Sequence, residues 1–436
     1  MPSLIGLLLF MTPIKYNDTL TIPIAVISKG FQNLLGDSAT LIVTLIVMMT
    51  AIMSLLCRLF KPQSLLTTSP FLYHLFHVNN MWLMVRIIAA LFIVVTYWQL
   101  GSEMIYSANT GALILNDLLP VLLCVFIFAG LILPLLLNFG LLELFGTLLT
   151  KVMRPIFNLP GRSAIDCLAS WLGDGSVGIL MTSKQYESKF YTQREAAVIG
   201  TTFSAVSITF SLVVISQVKL EHLFIPFYLT ICAAGFAAAF IIPKLPPLRN
   251  KKDVYIDGSV KQAGDELTPQ GHHVLSWGWQ QALIRAEQSP GIWGTFKDGV
   301  KNVIDMVFGV IPVIMTIGTL SLIIAEYTPI FNYLGMPFIP LLELLQIPQA
   351  EQASTTMVVG FADMFIPSIL AASIESDMTR FVIAAMSVTQ LIYMSEVGAL
   401  LIGSKIPIHI GELFIIFILR TLITLPVIAG IAHIIF

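Results

Sequence analysis

Five long stretches of this sequence contain no charged residue, and they constrain the fold more than any other feature. They cover residues 39–57, 118–142, 196–218, 223–243 and 306–325. A helix needs about 20 consecutive apolar residues to cross the hydrocarbon core of a bilayer. Only 11% of the chain is charged and 56% is hydrophobic, whereas an ordinary soluble domain is about 25% charged. The sequence therefore predicts an all-α integral membrane protein, a polytopic helical bundle.

Two further stretches are weaker candidates for membrane helices. They are Ile87 to Leu100 and Leu413 to Phe436, and Arg420 interrupts the second. We expect both to span, because long basic side chains near helix ends extend to the interface. The total is then about eight to ten spans. Met1 to Thr12 lacks the features of a cleaved signal peptide, so we expect it to stay in the mature chain.

Cysteine, histidine and net charge do not favour metal or nucleic-acid chemistry. The four cysteines lie apart in apolar sequence without a CxxC pair, which favours packed thiols over ligands. His74 and His77 share a helix face, but a metal site is the less favoured interpretation. A net charge of −2 without a basic stripe argues against a nucleic-acid partner. We predict no cofactor beyond a coupling ion, Na⁺ or H⁺.

A long polar stretch, 244–298, separates two membrane blocks. Prolines, glycines and charges make its middle typical of a flexible linker. Trp277, Trp279 and Trp293 indicate an amphipathic piece at the headgroup level near its end. Its lysines and arginines place it in the cytoplasm by the positive-inside rule. The predicted divisions are N-terminal scaffold helices (1–115), a first repeat (116–243), the linker, and a second repeat (299–436).

An internal repeat relates the two blocks. Landmarks of the first block recur in the second at nearly constant separation: Pro120 with Pro312, Pro160 with Pro348, Gly173 with Gly360, and Arg194 with Arg380. Each copy reads as a helix with a proline, a second helix ending at a proline, a short Ser/Gly/Asp segment, and a hydroxyl-rich helix. The two blocks are therefore predicted to be copies of one unit.

The distribution of basic residues predicts that the copies have opposite orientations. The connecting region of the first copy contains Lys151, Arg154, Arg162, Lys184, Lys189 and Arg194, whereas 302–379 contains no Lys or Arg. Basic connections favour the cytoplasmic side. Equivalent regions should then face opposite sides, which is an inverted-topology repeat that can expose one site alternately to each side.

Each copy contains a candidate re-entrant hairpin, at 161–187 and at 348–377. In the first, two apolar arms of about ten residues flank Gly173 to Ser176, and neither arm is long enough to span. Glycines beside an aspartate break a helix. Non-helical backbone at membrane depth requires protein, water or solute as a partner. The alternative is an ordinary loop between full spans.

The predicted substrate or ion site combines both hairpin tips with polar residues of the helices that follow them. A charge within a span is a functional hypothesis by default, and Asp174, Asp363 and Glu396 are the strongest candidates. Single hydroxyls in membrane helices are more often structural. The full set is Gly173, Asp174, Gly175, Ser176, Thr201, Thr202, Ser204, Ser207, Thr355, Thr356, Gly360, Asp363, Thr389, Gln390 and Glu396.

The run from Leu159 to Phe210, LPGRSAIDCLASWLGDGSVGILMTSKQYESKFYTQREAAVIGTTFSAVSITF, resembles the YjiH-type membrane proteins that carry the nucleoside recognition, or Gate, domain. That domain is similar to parts of concentrative nucleoside transporters and ferrous-iron transport proteins. The resemblance implies a transporter-like fold and a bacterial inner membrane. It does not imply nucleosides as substrate, because the Gln-Thr/Glu-rich hairpin motif of the nucleoside carriers is absent.

These features favour a secondary transporter of a small polar solute, such as a nucleoside, amino acid or small peptide. The alternative is a gate or accessory subunit, or a channel-like partner, of another membrane protein. An enzyme is not expected, because the sequence lacks HExxH, GxSxG and glycine-rich phosphate loops. Besides the lipid bilayer and the solute, the sequence leaves open a homo-oligomer or a second membrane subunit as partner.

Overall fold

The computed structural model describes residues 2–12, 14–16, 19–60, 69–172, 175–203, 206, 208–261 and 273–436. Within them, six helical segments are long and apolar enough to cross a membrane: Ser38–Phe60, Asn80–Trp98, Leu113–Leu137, Glu221–Lys244, Gly291–Tyr327 and Ile410–Ile435. Several of these helices expose large apolar side chains, including Leu45, Met84, Leu91 and Leu229. Exposed apolar side chains on long helices suit contact with lipid. The prediction of a helical, multi-pass membrane protein is confirmed.

The N-terminal part holds a short β-hairpin and several helices. Strands β1 and β2 pair antiparallel, with Ile14 opposite Thr21. The elements are α1 (Pro2–Met11), β1 (Ile14–Tyr16), β2 (Thr19–Thr21), α2 (Pro23–Leu35), α3 (Ser38–Phe60), α4 (Pro70–Phe76), α5 (Asn80–Trp98) and α6 (Glu103–Tyr106). Helix α5 packs against α3, so this part forms one wall of the bundle.

The first membrane block follows with two π-helical turns and one 3₁₀ turn among its helices. Its elements are a π turn (Leu113–Leu118), α7 (Leu119–Leu137), α8 (Leu141–Phe157), α9 (Ser163–Leu172), α10 (Gly175–Glu187), α11 (Gln193–Val198), a π turn (Ile199–Phe203), α12 (Ile208–Gln217), a 3₁₀ turn (Glu221–Leu223) and α13 (Phe224–Ile241). A Thr192–Glu195 capping box starts α11.

The loop and the second block complete the chain. Their elements are 3₁₀ turns (Ile242–Lys244, Leu248–Asn250), α14 (Val274–Glu287), α15 (Gly291–Gly309), α16 (Ile311–Tyr327), α17 (Ile330–Gly335), a 3₁₀ turn (Met336–Phe338), α18 (Ile339–Leu344), α19 (Ala350–Val359), α20 (Ile366–Ala371), α21 (Asp377–Gln390), α22 (Val397–Gly403) and α23 (Ile410–Ile435). Helix α15 packs on α7, and α23 packs on α13 and α21, so the two blocks share one core.

The described residues hold six candidate spans, against the eight to ten expected, and the helix predicted over 196–218 is not continuous. After α11 the chain forms a π turn that ends at Phe203, Val206 is not helical, and α12 begins at Ile208. Neither piece is long enough to span alone. Short pieces at membrane depth leave backbone groups that other parts of the protein must satisfy.

The described part of the long loop folds onto the first block instead of extending away from it. Ion pairs join Lys189 to Asp257 at 2.6 Å and Lys261 to Glu195 at 2.8 Å. The hydrogen bond from Lys189, together with those from Ser259, holds the pKa of Asp257 below its usual range. Residues 262–272, where the flexible linker was predicted, lie outside the described residues. The loop and the start of α11 therefore occupy the same end of the molecule.

Candidate functional site

The hydroxyl-rich helix of the second block is interrupted between α21 and α22. Residues 391–396 are not helical, and Leu391 has φ of 60°. The N–H of Met394 donates to the Phe361 carbonyl at 2.8 Å, and that of Ser395 donates to the Ala362 carbonyl at 2.9 Å. These bonds join the interrupted segment to the turn after α19. The turn thus satisfies backbone groups that the helix break would leave without partners.

Asp363 reinforces the same junction. Its Oδ2 accepts the Ser395 hydroxyl at 2.6 Å, and its Oδ1 accepts the Phe365 N–H at 2.8 Å. Glu396 follows Ser395 directly, and its Oε2 accepts the Tyr393 hydroxyl at 3.3 Å. The structure brings Asp363 and the break before α22 together. Asp363 already accepts two protein donors, an arrangement typical of a cap on irregular backbone.

Gln390, the last residue of α21, ties three elements together. Its Nε2 donates to the Met357 carbonyl of α19 at 2.7 Å and to the Thr421 hydroxyl of α23 at 2.8 Å. A Cβ at Gly360 would lie 2.4 Å from Gln390 Oε1. The side chain of Gln390 therefore requires a glycine at position 360. The predicted site residues Gly360 and Gln390 are thus in contact with each other.

The predicted threonines use their hydroxyls within their own helices. Thr201 and Thr202 donate to the carbonyls of Ala197 and Val198, both at 2.6 Å. Thr356 donates to Ala353 at 2.6 Å and Thr389 to Ala385 at 2.9 Å. Bonds of this kind are the usual structural role of hydroxyls in membrane helices. For these four residues the geometry favours that role over solute binding through the hydroxyl hydrogen. Thr355 is half-buried beside them.

Arg420 is the central residue of this region, and sequence reasoning missed its role. Its Nε and Nη2 donate to the Thr389 carbonyl at 2.9 and 2.6 Å. Its Nη1 donates to the carbonyls of Thr201 and Thr202 at 3.2 and 3.3 Å. The expectation that Arg420 extends to the interface is wrong, because the side chain is only 1% exposed. One guanidinium thus joins the ends of both interrupted helices.

The chemistry of this contact follows from the ends of helices. The last carbonyls of a helix have no partner within it, and each helix carboxyl end has a partial charge of about −0.5. In the described part of the chain, no carboxylate lies within ion-pair distance of Arg420. The only signal in the sequence was a basic residue at the middle of an apolar span.

An apolar cavity of about 460 Å³ opens beside Arg420. Its lining includes Cys167, Phe203, Cys232 and Thr389 as well as Arg420. The four cysteines of the chain are free thiols. The described residues contain no group of His, Cys, Asp and Glu that could hold a metal ion.

Helices α9 and α10 are the two arms of the first predicted hairpin, and they pack against each other. Buried Asp166 holds them together: it accepts Gln185 Nε2 at 2.5 Å, and the Thr182 and Tyr191 hydroxyls at 3.0 Å. Gly175 and the buried Ser176 begin α10. Four predicted site residues, Gly173, Asp174, Ser204 and Ser207, lie outside the described residues.

Comparison with known proteins places the chain in a family. Residues 119–221 match the Gate family model, described as nucleoside recognition. A protein of Alkalihalophilus pseudofirmus, described only as uncharacterised, is 48% identical over 435 residues, which cover 100% of this chain and 94% of that protein. No solved structure matches. The resemblance to Gate-domain membrane proteins is confirmed: the chain belongs to the same family as the Alkalihalophilus protein and carries a Gate segment within its helical membrane fold.

Proposed function

We propose that the protein is a secondary-active transporter that moves a small polar solute across the cell inner membrane by alternating access. The observation that carries the proposal is the convergence of two interrupted helices on Arg420. Broken helices at membrane depth are the elements from which many transporters build solute and ion sites. A purely structural bundle has no evident need for two such breaks in contact.

The order of helices supports a duplicated architecture. Helices α7, α9, α11 and α13 correspond to α16, α19, α21 and α23, whose first residues come 192, 187, 184 and 186 positions later. The interruption after α11 corresponds to the interruption after α21. In this proposal α9 with α10, and α19 with α20, are the two re-entrant hairpins of the repeats.

Two contacts support opposite orientations of the copies. Arg194, at the start of α11, pairs with Asp253 of the long loop at 3.5 Å. Its counterpart Arg380, at the start of α21, donates to the carbonyl of Val218, just beyond the end of α12, at 2.9 Å. Because α11 and α12 follow each other across the bundle, the two starting points belong at opposite ends. The long loop would then be cytoplasmic.

The coupling ion of the proposed transporter is Na⁺ or H⁺. Arg420 already occupies the carbonyls at the two helix ends, so a coupling ion would bind at a carboxylate. Asp174, Asp363 and Glu396 are the candidates, since a carboxylate in a low-dielectric site can bind Na⁺ or carry H⁺.

Purified protein in liposomes tests the proposal. A thermal-shift screen of nucleosides, amino acids, small peptides and organic acids would first select ligands that raise the unfolding temperature. Labelled hits should then accumulate in liposomes under an imposed Na⁺ or H⁺ gradient, and accumulation should stop when an ionophore removes the gradient. The control is liposomes without protein. Flux that requires a second membrane protein would contradict the proposal and favour a gate or accessory subunit.

A further inference from the structure

A second cavity, of about 540 Å³, lies between α4, α5, α10, α15, α16 and the segment after α22, and shares no lining residue with the cavity beside Arg420. We call it the basic cavity. Lys184 and Glu187 line it near the end of α10, and Lys189, two residues beyond Glu187, pairs with Asp257. The basic cavity is therefore at the same end of the molecule as the long loop.

Arg86 is the most informative residue of the basic cavity. It lies on the apolar helix α5 and is only 5% exposed. Its Nη1 donates to the Ser54 hydroxyl at 2.6 Å and to the Leu75 carbonyl at 2.9 Å. Among the described residues, Nε and Nη2 have no hydrogen-bond partner, and the Arg86 side chain lines the basic cavity. Three N–H donors of a buried guanidinium on the cavity wall thus have no acceptor among the described residues.

The charges around the basic cavity do not balance. Its basic residues are Arg86, Lys184, Lys301 and Lys405, and its acidic residues are Glu187 and Asp305, so four positive charges face two negative ones. Lys184 pairs with both acids, at 2.6 Å to Asp305 and 3.1 Å to Glu187. No carboxylate in the described ranges comes within ion-pair distance of the other three. Lys301 and Lys405 are exposed, whereas Arg86 is buried. The charge of a buried arginine on a membrane helix is costly unless a ligand or water compensates it.

We infer that the basic cavity binds a small organic anion through a carboxylate or phosphate group. The Nε and Nη2 groups of Arg86 form a planar fork of donors, from which a carboxylate or phosphate can accept two hydrogen bonds. Phe71, Leu75 and Trp82 line the same cavity and provide an apolar wall for the remainder of the ligand. The identification of this anion as the transported solute rests on the proposed function. It favours solutes with an acidic group over neutral nucleosides.

Gly309 offers a position for a reporter thiol. A Cβ there would meet only Asp305 Oδ1, at 3.9 Å, so Gly309→Cys fits without displacing a neighbour. With the four native cysteines replaced by alanine, its reaction with anionic and cationic methanethiosulfonates can be compared. We divide the reaction rate of the anionic reagent by that of the cationic reagent. We expect this ratio to be at least about threefold higher for Gly309→Cys than for a free thiol in solution. The ratio of reagents cancels differences in thiolate fraction.

Variants of the cavity test the role of each charge. Arg86→Gln should lower the reagent ratio at least about threefold. Lys301→Gln, at an exposed position, should lower the reagent ratio less than Arg86→Gln. It replaces Arg86→Gln as the test variant if that protein does not fold. The matched control is Arg58→Gln, because Arg58 does not line the cavity and bonds Asn80. A ratio equal to that of a free thiol, or one that none of the cavity variants changes, would overturn the inference.

Protection of the thiol identifies the class and source of the anion. Inorganic phosphate and benzoate should slow labelling of Gly309→Cys in a saturable manner, and choline should not. If phosphatidylglycerol nanodiscs slow labelling and the free anions do not, the ligand is a lipid headgroup and the small-anion inference is overturned. Labelling measures binding without transport, so a failure of liposome flux with protection intact would reject the transport function and retain the binding site.

Discussion

Arg420 differs from most basic residues in membrane helices because it turns inward instead of extending to the interface. Its donors reach carbonyls of two separate half-helices. Two helix ends of about −0.5 each offset most of one positive charge. The guanidinium therefore acts where transporters with broken helices place a bound cation against unwound carbonyls. A tethered cation of this kind joins the two interrupted helices without a bound ion.

Replacing Arg420 by alanine is expected to lower the thermal unfolding temperature of the purified protein. The carbonyls of Thr201, Thr202 and Thr389 lose their donors, and each unpaired buried carbonyl costs about 1–3 kcal/mol. Because a cavity opens beside the side chain, methylguanidinium at millimolar concentration should restore part of the loss. Methylammonium should restore less, since it lacks the planar fork that reaches both helix ends.

The matched control is Arg58→Ala at the end of α3, where the guanidinium bonds Asn80 at an exposed position. Its effect should stay within about 0.5 kcal/mol. An Arg420→Ala protein as stable as the wild type would refute the proposed role of the guanidinium.

Asp174 stays a prediction, because it lies outside the described residues. The argument for it is its place between two glycines in an apolar segment, where an aspartate costs about 2.5–3.5 kcal/mol. If Asp174 binds solute or coupling ion, Asp174→Asn should lower uptake at least about tenfold, or about 1.4 kcal/mol, at normal protein level. Uptake by liposomes, with the amount of folded protein measured in parallel, checks this.

Normal uptake by the Asn variant would reject Asp174 as a binding residue. Loss of folded protein would instead indicate a structural cap, and Asp363 or Glu396 would become the first candidate. Asp363 already accepts the Ser395 hydroxyl and the Phe365 N–H, and Glu396 accepts the Tyr393 hydroxyl.

At the scale of elements, the turn after α19 and the break before α22 form one unit. Gly360→Ala would place a methyl group 2.4 Å from Gln390 Oε1. The amide would have to move and would lose its bonds to Met357 and Thr421. We expect a loss of about 1–3 kcal/mol in the free energy of unfolding. In a Gln390→Ala background the same change should cost little, so a double-mutant cycle should show coupling of at least about 0.5 kcal/mol.

Gly430→Ala in α23 is the control for this cycle, since a Cβ there meets nothing within 4 Å. Alanine is a better helix former than glycine, so Gly430→Ala should be neutral or slightly stabilising. Additive effects of the Gly360 and Gln390 changes would mean that the contact between turn and helix break is not formed.

The sequence predicted the long spans well but not the interruptions of the hydroxyl-rich helices. Whether a charge-free stretch can span depends on its own length and composition. The stretches 39–57 and 223–243 accordingly lie in helices long and apolar enough to span. Residues 391–396, LIYMSE, contain no glycine or proline to signal a break. That break is stabilised by carbonyls of Phe361 and Ala362 and by Arg420. Local propensity carries no information about such tertiary partners.

At the scale of the whole molecule, two halves share one core and one central cation. The helix α23 that carries Arg420 belongs to the second half, and it reaches carbonyls of both. A strictly symmetric pair would need an arginine on α13 as well, but the described helix Phe224–Ile241 contains none. The proposed duplication is therefore asymmetric at its centre, where a single side chain contacts both interrupted helices.

Topology provides the last prediction, because alternating access by inverted halves requires their connecting regions to face opposite sides. Ser188 follows α10 and Ser373 precedes α21, and both are exposed. In a background without the native cysteines, Ser373→Cys should react with a membrane-impermeant maleimide in intact cells. Ser188→Cys should react only after the cells are permeabilised, because it lies at the end of the molecule where the long loop packs, which we propose is cytoplasmic. The background protein, which lacks the native cysteines and has neither serine change, is the control for unspecific labelling. Labelling of both serine positions from the same face would remove the inverted repeat, and alternating access between related halves would have to be abandoned with it.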